Sequence, residues 1–319
     1  MRIFEKKLTK HQAKSTFPGS DYLRKWRIYA ELSKSGIVIL VLISVLSGYL
    51  IGQPSEEPLN WKRLWLTLFG VLFLASGSSA LNQYQEQALD LKMPRTSRRP
   101  LPSGRLSQKE ALVFIIVTLG CGLTLLVIVG SIVFWLGVCA IFSYNLLYTL
   151  WWKKHWAFAA IPGAIPGAIP ILIGYAAASG TLTRPAGIYL FFILFFWQMP
   201  HFWSLALKFE KDYALAGFPT LPVVHGRQVT LHQIVLWCLA YVGLVIIGPL
   251  FLQVRWIYWT PSILLGAKIL FELYRYYSDP QNSNWLRFFL WVNFSLVGFL
   301  SFAILDLWSI YIPIPGYTR

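Results

Sequence analysis

Charged side chains are scarce in this chain. Only 13% of its 319 residues are Asp, Glu, Lys or Arg, whereas 56% are hydrophobic and the mean hydropathy is +0.55. A soluble domain needs a larger polar surface, so this composition excludes an ordinary water-soluble protein. It predicts an all-α polytopic membrane protein.

Acidic residues are rarer than basic ones. The chain has 13 Asp and Glu against 28 Lys and Arg, which gives a formal net charge of +15. In a membrane protein, excess Lys and Arg marks cytoplasmic loops. We therefore expect the lipid bilayer as a partner, and no nucleic acid.

Cysteine is also scarce. Cys121, Cys139 and Cys238 are the only three, and all lie in apolar stretches without C-x-x-C spacing. This pattern supports neither a disulfide framework nor a cysteine zinc site, and it predicts packed thiols.

The N-terminus lacks the apolar core of a cleaved signal peptide. Residues 1–27 are instead rich in Lys and Arg, which predicts a basic cytoplasmic tail. Because no transit peptide is evident either, we expect a bacterial plasma membrane as the location.

Long apolar runs make up most of the remaining sequence. A helix crosses the hydrocarbon core with roughly 20 apolar residues. We expect about nine such spans in one transmembrane domain, residues 28–311, with a short tail at 312–319. The predicted spans are 28–52, 62–82, 109–128, 131–150, 157–178, 186–206, 229–252, 256–274 and 286–311.

Basic residues concentrate in every second loop. The positive-inside rule then predicts a cytoplasmic N-terminus and an external C-terminus. It also places the loops after the second and sixth spans on one cytoplasmic face, and these two loops hold most of the unusual polar sequence.

The second span ends in a row of oxygen-bearing side chains, Asn82, Glu86 and Asp90. Steps of four residues turn a helix by only about 40°, so the three would share one face. Mg²⁺ is commonly held by one or two carboxylates while substrate phosphates and water complete its shell. The alternative is a pair of solvated carboxylates bound to nearby basic residues.

Basic residues surround this row in sequence. Arg95, Arg98 and Arg99 follow it directly, and Lys153 and Lys154 end the fourth span on the same face. Mixed charges suit a metal-bridged diphosphate better than either sign alone. The two lysines could instead anchor the helix at the membrane interface.

Four motifs allow a closer comparison. They are Arg95-Thr-x-x-Arg99-Pro-Leu-Pro-Ser-Gly104, Pro162-Gly-Ala-x-Pro-Gly-Ala-x-Pro170, Trp197-Gln-x-Pro-His201-Phe-Trp203 and Asp212-Tyr-x-x-Ala-Gly217-x-Pro219-x-Leu-Pro222-Val-Val-x-Gly226. In combination they resemble the haem O synthase (protohaem IX farnesyltransferase) family of UbiA-type intramembrane prenyltransferases, over roughly residues 30–300. The first acidic motif of that superfamily is similar to Asn82, Glu86 and Asp90, with Glu in the middle Asp position. The usual second Asp-rich motif is missing, and that region presents His201, Lys208 and Asp212.

The resemblance implies transfer of a farnesyl group from farnesyl diphosphate to a vinyl group of haem B, with addition of water, to form haem O. It implies a Mg²⁺ or similar cation on Asn82, Glu86 and Asp90, and a central apolar cavity that opens to the cytoplasmic side. Downstream haem A synthase or oxidase assembly factors are further partners that it suggests. The remaining residues assigned to catalysis or substrate binding are Arg95, Arg98, Arg99, Lys153, Lys154, His201, Lys208, Asp212 and Tyr213.

Three alternatives stay open at this stage. The same fold could prenylate a quinone precursor or chlorophyllide, but the segment from Trp197 to Trp203 argues against that acceptor. A transporter would need polar residues near the middle of several spans, and few are seen. The third is a haem-binding or assembly protein without activity, which is conceivable because Glu86 stands where the superfamily motif has Asp.

Overall fold

The computed structural model describes residues 18–53, 57–279 and 283–309, with side chains from residue 25 onward. Within these ranges the chain forms helices and no strands. Most of the predicted N-terminal tail and all of the tail at 312–319 lie outside the described residues. The helices are α1 Pro18–Leu32, α2 Ser35–Gly52, α3 Trp61–Gln85, α4 Gln87–Asp90, α5 Gln108–Val129, α6 Ser131–His155, α7 Ala160–Ser179, α8 Pro185–Lys208, α9 Glu210–Ala216, α10 Leu221–Ile246, α11 Trp256–Tyr277 and α12 Trp285–Ser309.

The polytopic helical architecture is confirmed. Eight of the described helices are long and apolar enough to cross a membrane, namely α2, α3, α5, α6, α7, α8, α10 and α12. The predicted eighth span is also a helix, α11, of 22 residues. It is less apolar because it carries Lys268, Glu272 and Arg275, but it packs into the same core through Ile269 and Leu273.

The first predicted span begins later than the hydropathy pattern indicates. The helical run breaks at Ser33 and Lys34, and Lys34 adopts a left-handed backbone (φ 52°) before α2 starts at Ser35. Non-glycine residues rarely adopt this conformation. The break turns the chain between α1 and the bundle and leaves Lys34 at the N-terminal end of α2.

Small residues bring α2 and α7 together. A Cβ atom added to Gly48 would lie 2.1 Å from the carbonyl oxygen of Ile171, and one added to Gly174 would lie 1.9 Å from that of Val45. Backbones approach this closely in membranes where small side chains line the contact. Part of the glycine-rich α7 therefore serves helix packing.

All the polar motifs lie at one end of the bundle. We call it the site end: α3, α6, α8 and α11 end there, whereas α2, α5, α7, α10 and α12 begin there. The positive-inside pattern predicts that this end is cytoplasmic.

Candidate functional site

The three predicted metal ligands form a buried row across the end of α3. Helix α3 ends at Gln85, and Glu86 has a non-helical backbone before the short helix α4. The four-residue spacing still holds, since the Glu86 amide donates to the Asn82 carbonyl (3.0 Å) and the Asp90 amide to the Glu86 carbonyl (2.8 Å). The exposed fractions of Asn82, Glu86 and Asp90 are 2%, 2% and 0%. The carboxylates are thus paired with basic residues but not solvated.

Each member of the row is held by its own basic side chain. Lys34 Nζ donates to Asn82 Oδ1 at 2.6 Å. Lys153 Nζ donates to both Glu86 carboxylate oxygens, at 2.7 and 2.8 Å. The guanidinium of Arg99 contacts both oxygens of Asp90, also through one nitrogen, at 2.9 and 2.7 Å. Charge-assisted contacts of this kind are the stronger hydrogen bonds of proteins.

A ladder of contacts between α3 and α6 positions this row. Asn145 bonds Ser78, Thr149 accepts from Asn82 (3.0 Å), and Lys153 binds Glu86. The two partners of each rung are 67 residues apart in sequence. Successive rungs advance by four residues on both helices, so the ladder fixes Lys153 opposite Glu86.

The α6 side of the ladder is π-helical. Residues Phe142–Trp152 form this segment, and the Thr149 hydroxyl donates to the Tyr144 carbonyl five residues earlier (2.8 Å). Such π segments are rare and often occur at functional sites. The sequence offers no simple signal for this geometry, and we did not predict it.

Lys34 is a site residue that the sequence analysis missed. It is half-buried and lies far from the motifs in sequence, directly before the first residue of α2. The only available signal was a lysine at the start of an otherwise apolar span. Its contact with Asn82 depends on the break between α1 and α2.

The basic surroundings change the protonation of this site. Burial opposes ionisation of Glu86, but the charge and hydrogen bonds of Lys153, with Lys34 and Arg99 nearby, outweigh it and lower its pKa. Burial and the charge of Arg99 lower the pKa of Lys34 to about 7. The Glu86 carboxylate is therefore ionised at neutral pH.

The second polar loop packs directly on the first. Met93 of the first loop lies in one buried cluster with Tyr213 and Phe218. The guanidinium carbon of Arg95 lies 4.9 Å from the ring centre of Phe209, and Lys153 Nζ lies 4.5 Å from that of Phe218. Aromatic faces attract such cations. The two motif-rich loops thus form one surface.

His201 lies apart from the acidic row, in a stack of rings between α8 and α12. Its ring centre is 4.9 Å from those of both Trp197 and Phe289. Its Nδ1 atom is buried and has no hydrogen-bond partner among the described residues. The stack continues through Trp285, over which Lys208 Nζ sits at 5.2 Å from the ring centre.

The other predicted site residues are more peripheral. Lys208 and Arg98 are exposed, and the Arg98 carbonyl accepts from Arg105. Lys154 and Asp212 are half-buried, and neither forms a hydrogen bond or ion pair within the part of the chain that is described. None of these four side chains forms a hydrogen bond or ion pair with the row in the described part of the chain.

An apolar pocket of about 210 Å³ extends from Lys34 into the bundle. Its walls come from α2, α3, α6, α7 and α8 and include Val71, Ile141 and the two prolines of α7, Pro166 and Pro170. Gln198 from α8 lines it as well. The site therefore combines a charged end with an apolar chamber.

The oxygen donors of the row fit a hard divalent cation. No group of three or more His, Cys, Asp or Glu that could hold a metal occurs among the described residues, so an all-protein cage is not available there. Mg²⁺ needs fewer protein ligands when substrate phosphates complete its shell. Two carboxylates and an amide oxygen meet that requirement.

Comparison with known proteins assigns the family. The model of the UbiA prenyltransferase family matches residues 41–294. This chain belongs to the UbiA prenyltransferase family, which makes it a multi-pass membrane protein of the prenyltransferase class.

Individual relatives are similar over nearly the whole chain. A protoheme IX farnesyltransferase of Bdellovibrio bacteriovorus is 44% identical over 283 residues, which cover 89% of this chain and 97% of that protein. One from Teredinibacter turnerae is 33% identical over 297 residues, covering 92% and 93%.

Solved structures share the fold. A digeranylgeranylglyceryl phosphate synthase superposes with a TM-score of 0.74 at 18% identity, covering 90% of this chain and 99% of that one. A UbiA homologue from Archaeoglobus fulgidus, bound to GPP and Mg²⁺, gives a TM-score of 0.58 at 15% identity, covering 88% and 99%.

Proposed function

We propose that this protein transfers the farnesyl group of farnesyl diphosphate to a vinyl group of haem B, with addition of water, forming haem O and diphosphate in a bacterial plasma membrane. The observation that carries the proposal is the pairing of Asn82, Glu86 and Asp90 with three basic residues, one of which, Lys34, lines an apolar pocket. The motifs of the acceptor side and the names of the similar proteins support haem as the acceptor.

The acidic row would hold the metal and the basic residues the diphosphate. Mg²⁺ on Asn82, Glu86 and Asp90 would stabilise the negative charge of the leaving group. Lys34, Arg99 and Lys153 already lie against the row, so a small movement of each would bring it to phosphate oxygens. Arg95, Arg98 and Lys154 add positive charge around the entrance.

The pocket would protect the allylic cation that forms when diphosphate leaves. Its apolar walls exclude bulk water, which would otherwise convert the cation to an alcohol. A site with low dielectric also strengthens the charge interactions at its mouth. The farnesyl chain would extend from the row along α3 and α7.

Residues of the second loop would bind the haem. His201 has an unpartnered ring nitrogen between aromatic side chains, which suits contact with the macrocycle or its iron. Lys208 is exposed at the end of the same stack and would bind a propionate. Tyr213 packs in one buried cluster with Met93 of the first loop.

Haem extraction and mass analysis test the reaction. The chain is expressed in a bacterial host without its own haem O synthase, beside an Asp90→Asn variant. We expect farnesylated, hydrated haem only with the intact chain, because the amide cannot replace the charge of the carboxylate. Unmodified haem B in both cultures, with normal protein levels, would contradict the proposal and favour a quinone-type acceptor.

Two further variants separate the haem site from the metal and diphosphate site. His201→Ala should weaken haem binding and leave diphosphate binding intact, whereas His232→Ala, at an exposed residue of α10, serves as the control. Unchanged haem binding in His201→Ala would remove that residue from the haem site. Glu86→Asp should alter metal preference or rate, and no response to it would favour a scaffold protein.

A further inference from the structure

The proposed reaction needs one water molecule at a fixed place. When the C1–O bond of farnesyl diphosphate breaks, its electron pair leaves on diphosphate, and the vinyl π electrons of haem form the new bond to C1. The positive charge then lies on the inner vinyl carbon. A water oxygen must bond to that carbon, and a proton of this water leaves to the diphosphate product.

Water must reach this carbon without reaching the earlier allylic cation. An open, wet pocket would hydrolyse the farnesyl donor before transfer, whereas a completely dry pocket would allow the second cation to lose a proton and form an alkene. The chain therefore needs a polar group, set into the apolar wall, that holds a single water in place. A buried water typically needs two to four polar partners.

Gln198 is such a group. It lies on α8 and lines the pocket that extends from Lys34. Its Nε2 atom donates to the carbonyls of Ala164 (3.0 Å) and Leu194 (3.1 Å). Because carbonyls only accept, these two bonds fix the orientation of the amide. The Oε1 atom has no donor among the described residues and remains free as an acceptor.

Gly167 makes room for this oxygen. A Cβ atom added to Gly167 would lie 2.0 Å from Gln198 Oε1, so even alanine would force the amide to move. The neighbouring walls of the pocket are mostly apolar, but Ser79 and Tyr144 also line it. A water held by Oε1 would draw its remaining partners from polar residues of this wall.

The depth of Gln198 matches the place where the new bond forms. Gly167 lies seven residues into α7, about 10 Å from the site end at 1.5 Å per residue. Ser78 lies eight residues before Glu86 on α3, about 12 Å from it by the same rise. Gln198 therefore lies deeper than a diphosphate held by the row, along the path of the first carbons of its chain.

We infer that Gln198 Oε1 accepts a hydrogen bond from the water that captures the second cation, and so determines that the product is hydrated. The inference rests on the proposed farnesyl transfer to haem. It assigns to Gln198 a role in the identity of the product that is separate from the role of the acidic row in ionisation.

The product distribution tests this role. Gln198→Met keeps a similar side-chain length but removes the acceptor, whereas Gln198→Glu keeps an acceptor oxygen. In the host described above, we expect the ratio of anhydro to hydrated farnesyl haem to rise about tenfold in Gln198→Met, as for loss of one hydrogen bond. Gln198→Glu should retain the hydrated product, and Gln233→Met, on α10 outside this pocket, should match the intact chain.

Each other outcome is decisive. An unchanged ratio in Gln198→Met would overturn the inference, as would loss of all farnesylated haem while the protein level and diphosphate binding stay normal. If Gln198→Met does not accumulate in the membrane, the product ratio is measured in Gly167→Ala instead, because the added methyl group displaces the Gln198 amide. Absence of any farnesylated haem from the intact chain would instead reject the proposed function itself.

Discussion

Lys153 Nζ lies within hydrogen-bonding distance of both carboxylate oxygens of Glu86, at 2.7 and 2.8 Å. The Glu86 side chain is 2% exposed, so a cation that takes up both oxygens must displace this lysine. Asp90 is occupied in the same way by Arg99. Loading of the site is therefore an exchange of partners rather than the filling of free ligands.

This exchange predicts that Mg²⁺ and diphosphate bind cooperatively. Mg²⁺ alone would leave Lys153 and Arg99 without partners, and diphosphate alone would leave two buried carboxylates uncompensated. We expect each to raise the affinity for the other by about tenfold or more, within the usual range of coupling between sites. Calorimetric titration of the purified protein with Mg²⁺, with and without inorganic diphosphate, measures the factor, and equal affinities would rule out the exchange.

The ion pair of Glu86 also predicts a stability effect. Lys153→Met leaves a buried carboxylate unpaired, a change that costs about 3–5 kcal/mol in comparable sites. We expect a clear fall in thermal stability, and partial recovery in the double variant Lys153→Met with Glu86→Gln. Lys154→Met, which removes a neighbouring lysine without a described ion pair, is the matched control. A single variant as stable as the intact chain would contradict this prediction.

The lowered pKa of Lys34 predicts that the stability of the protein depends on pH. Its pKa is about 7 in the folded protein, below the ordinary value of 10.5, so the unfolded chain binds more protons between these values. Its contribution to the free energy of unfolding should therefore rise with pH from about 7 to 10 and stay at its minimum below that window. Thermal unfolding of the intact chain and of Lys34→Gln across this range measures the difference. Parallel pH profiles would show that Lys34 does not titrate there.

Replacing Asp306 should lower the stability of the protein and leave the site unchanged. From α12, its Oδ2 atom accepts from the backbone amides of Arg255 (2.9 Å) and Tyr258 (2.7 Å), and so caps the first turn of α11. Loss of a cap usually costs about 0.5–2 kcal/mol. Asp306→Ala should lower the melting temperature without changing diphosphate affinity, and Asp306→Asn should lose less because it keeps an acceptor. Equal melting temperatures for all three chains would show that the cap contributes nothing.

The sequence determined the membrane class, the approximate positions of the nine long predicted helices and the residue types of the acidic row. These follow from apolar runs about 20 residues long and from residue types at fixed spacing, which are local properties. Asn82, Glu86 and Asp90 are all buried, although α3 ends between the first and second of them.

Only the tertiary structure decided which basic residue serves each ligand. Lys34 reaches Asn82 because the chain breaks before α2, and Lys153 reaches Glu86 because a π-helical segment keeps α6 in step with α3. Gln198 similarly gains its fixed orientation from carbonyls of α7 and α8 and from the missing side chain of Gly167. Such pairings depend on how helices far apart in sequence pack together, and local spacing carries no information about that packing.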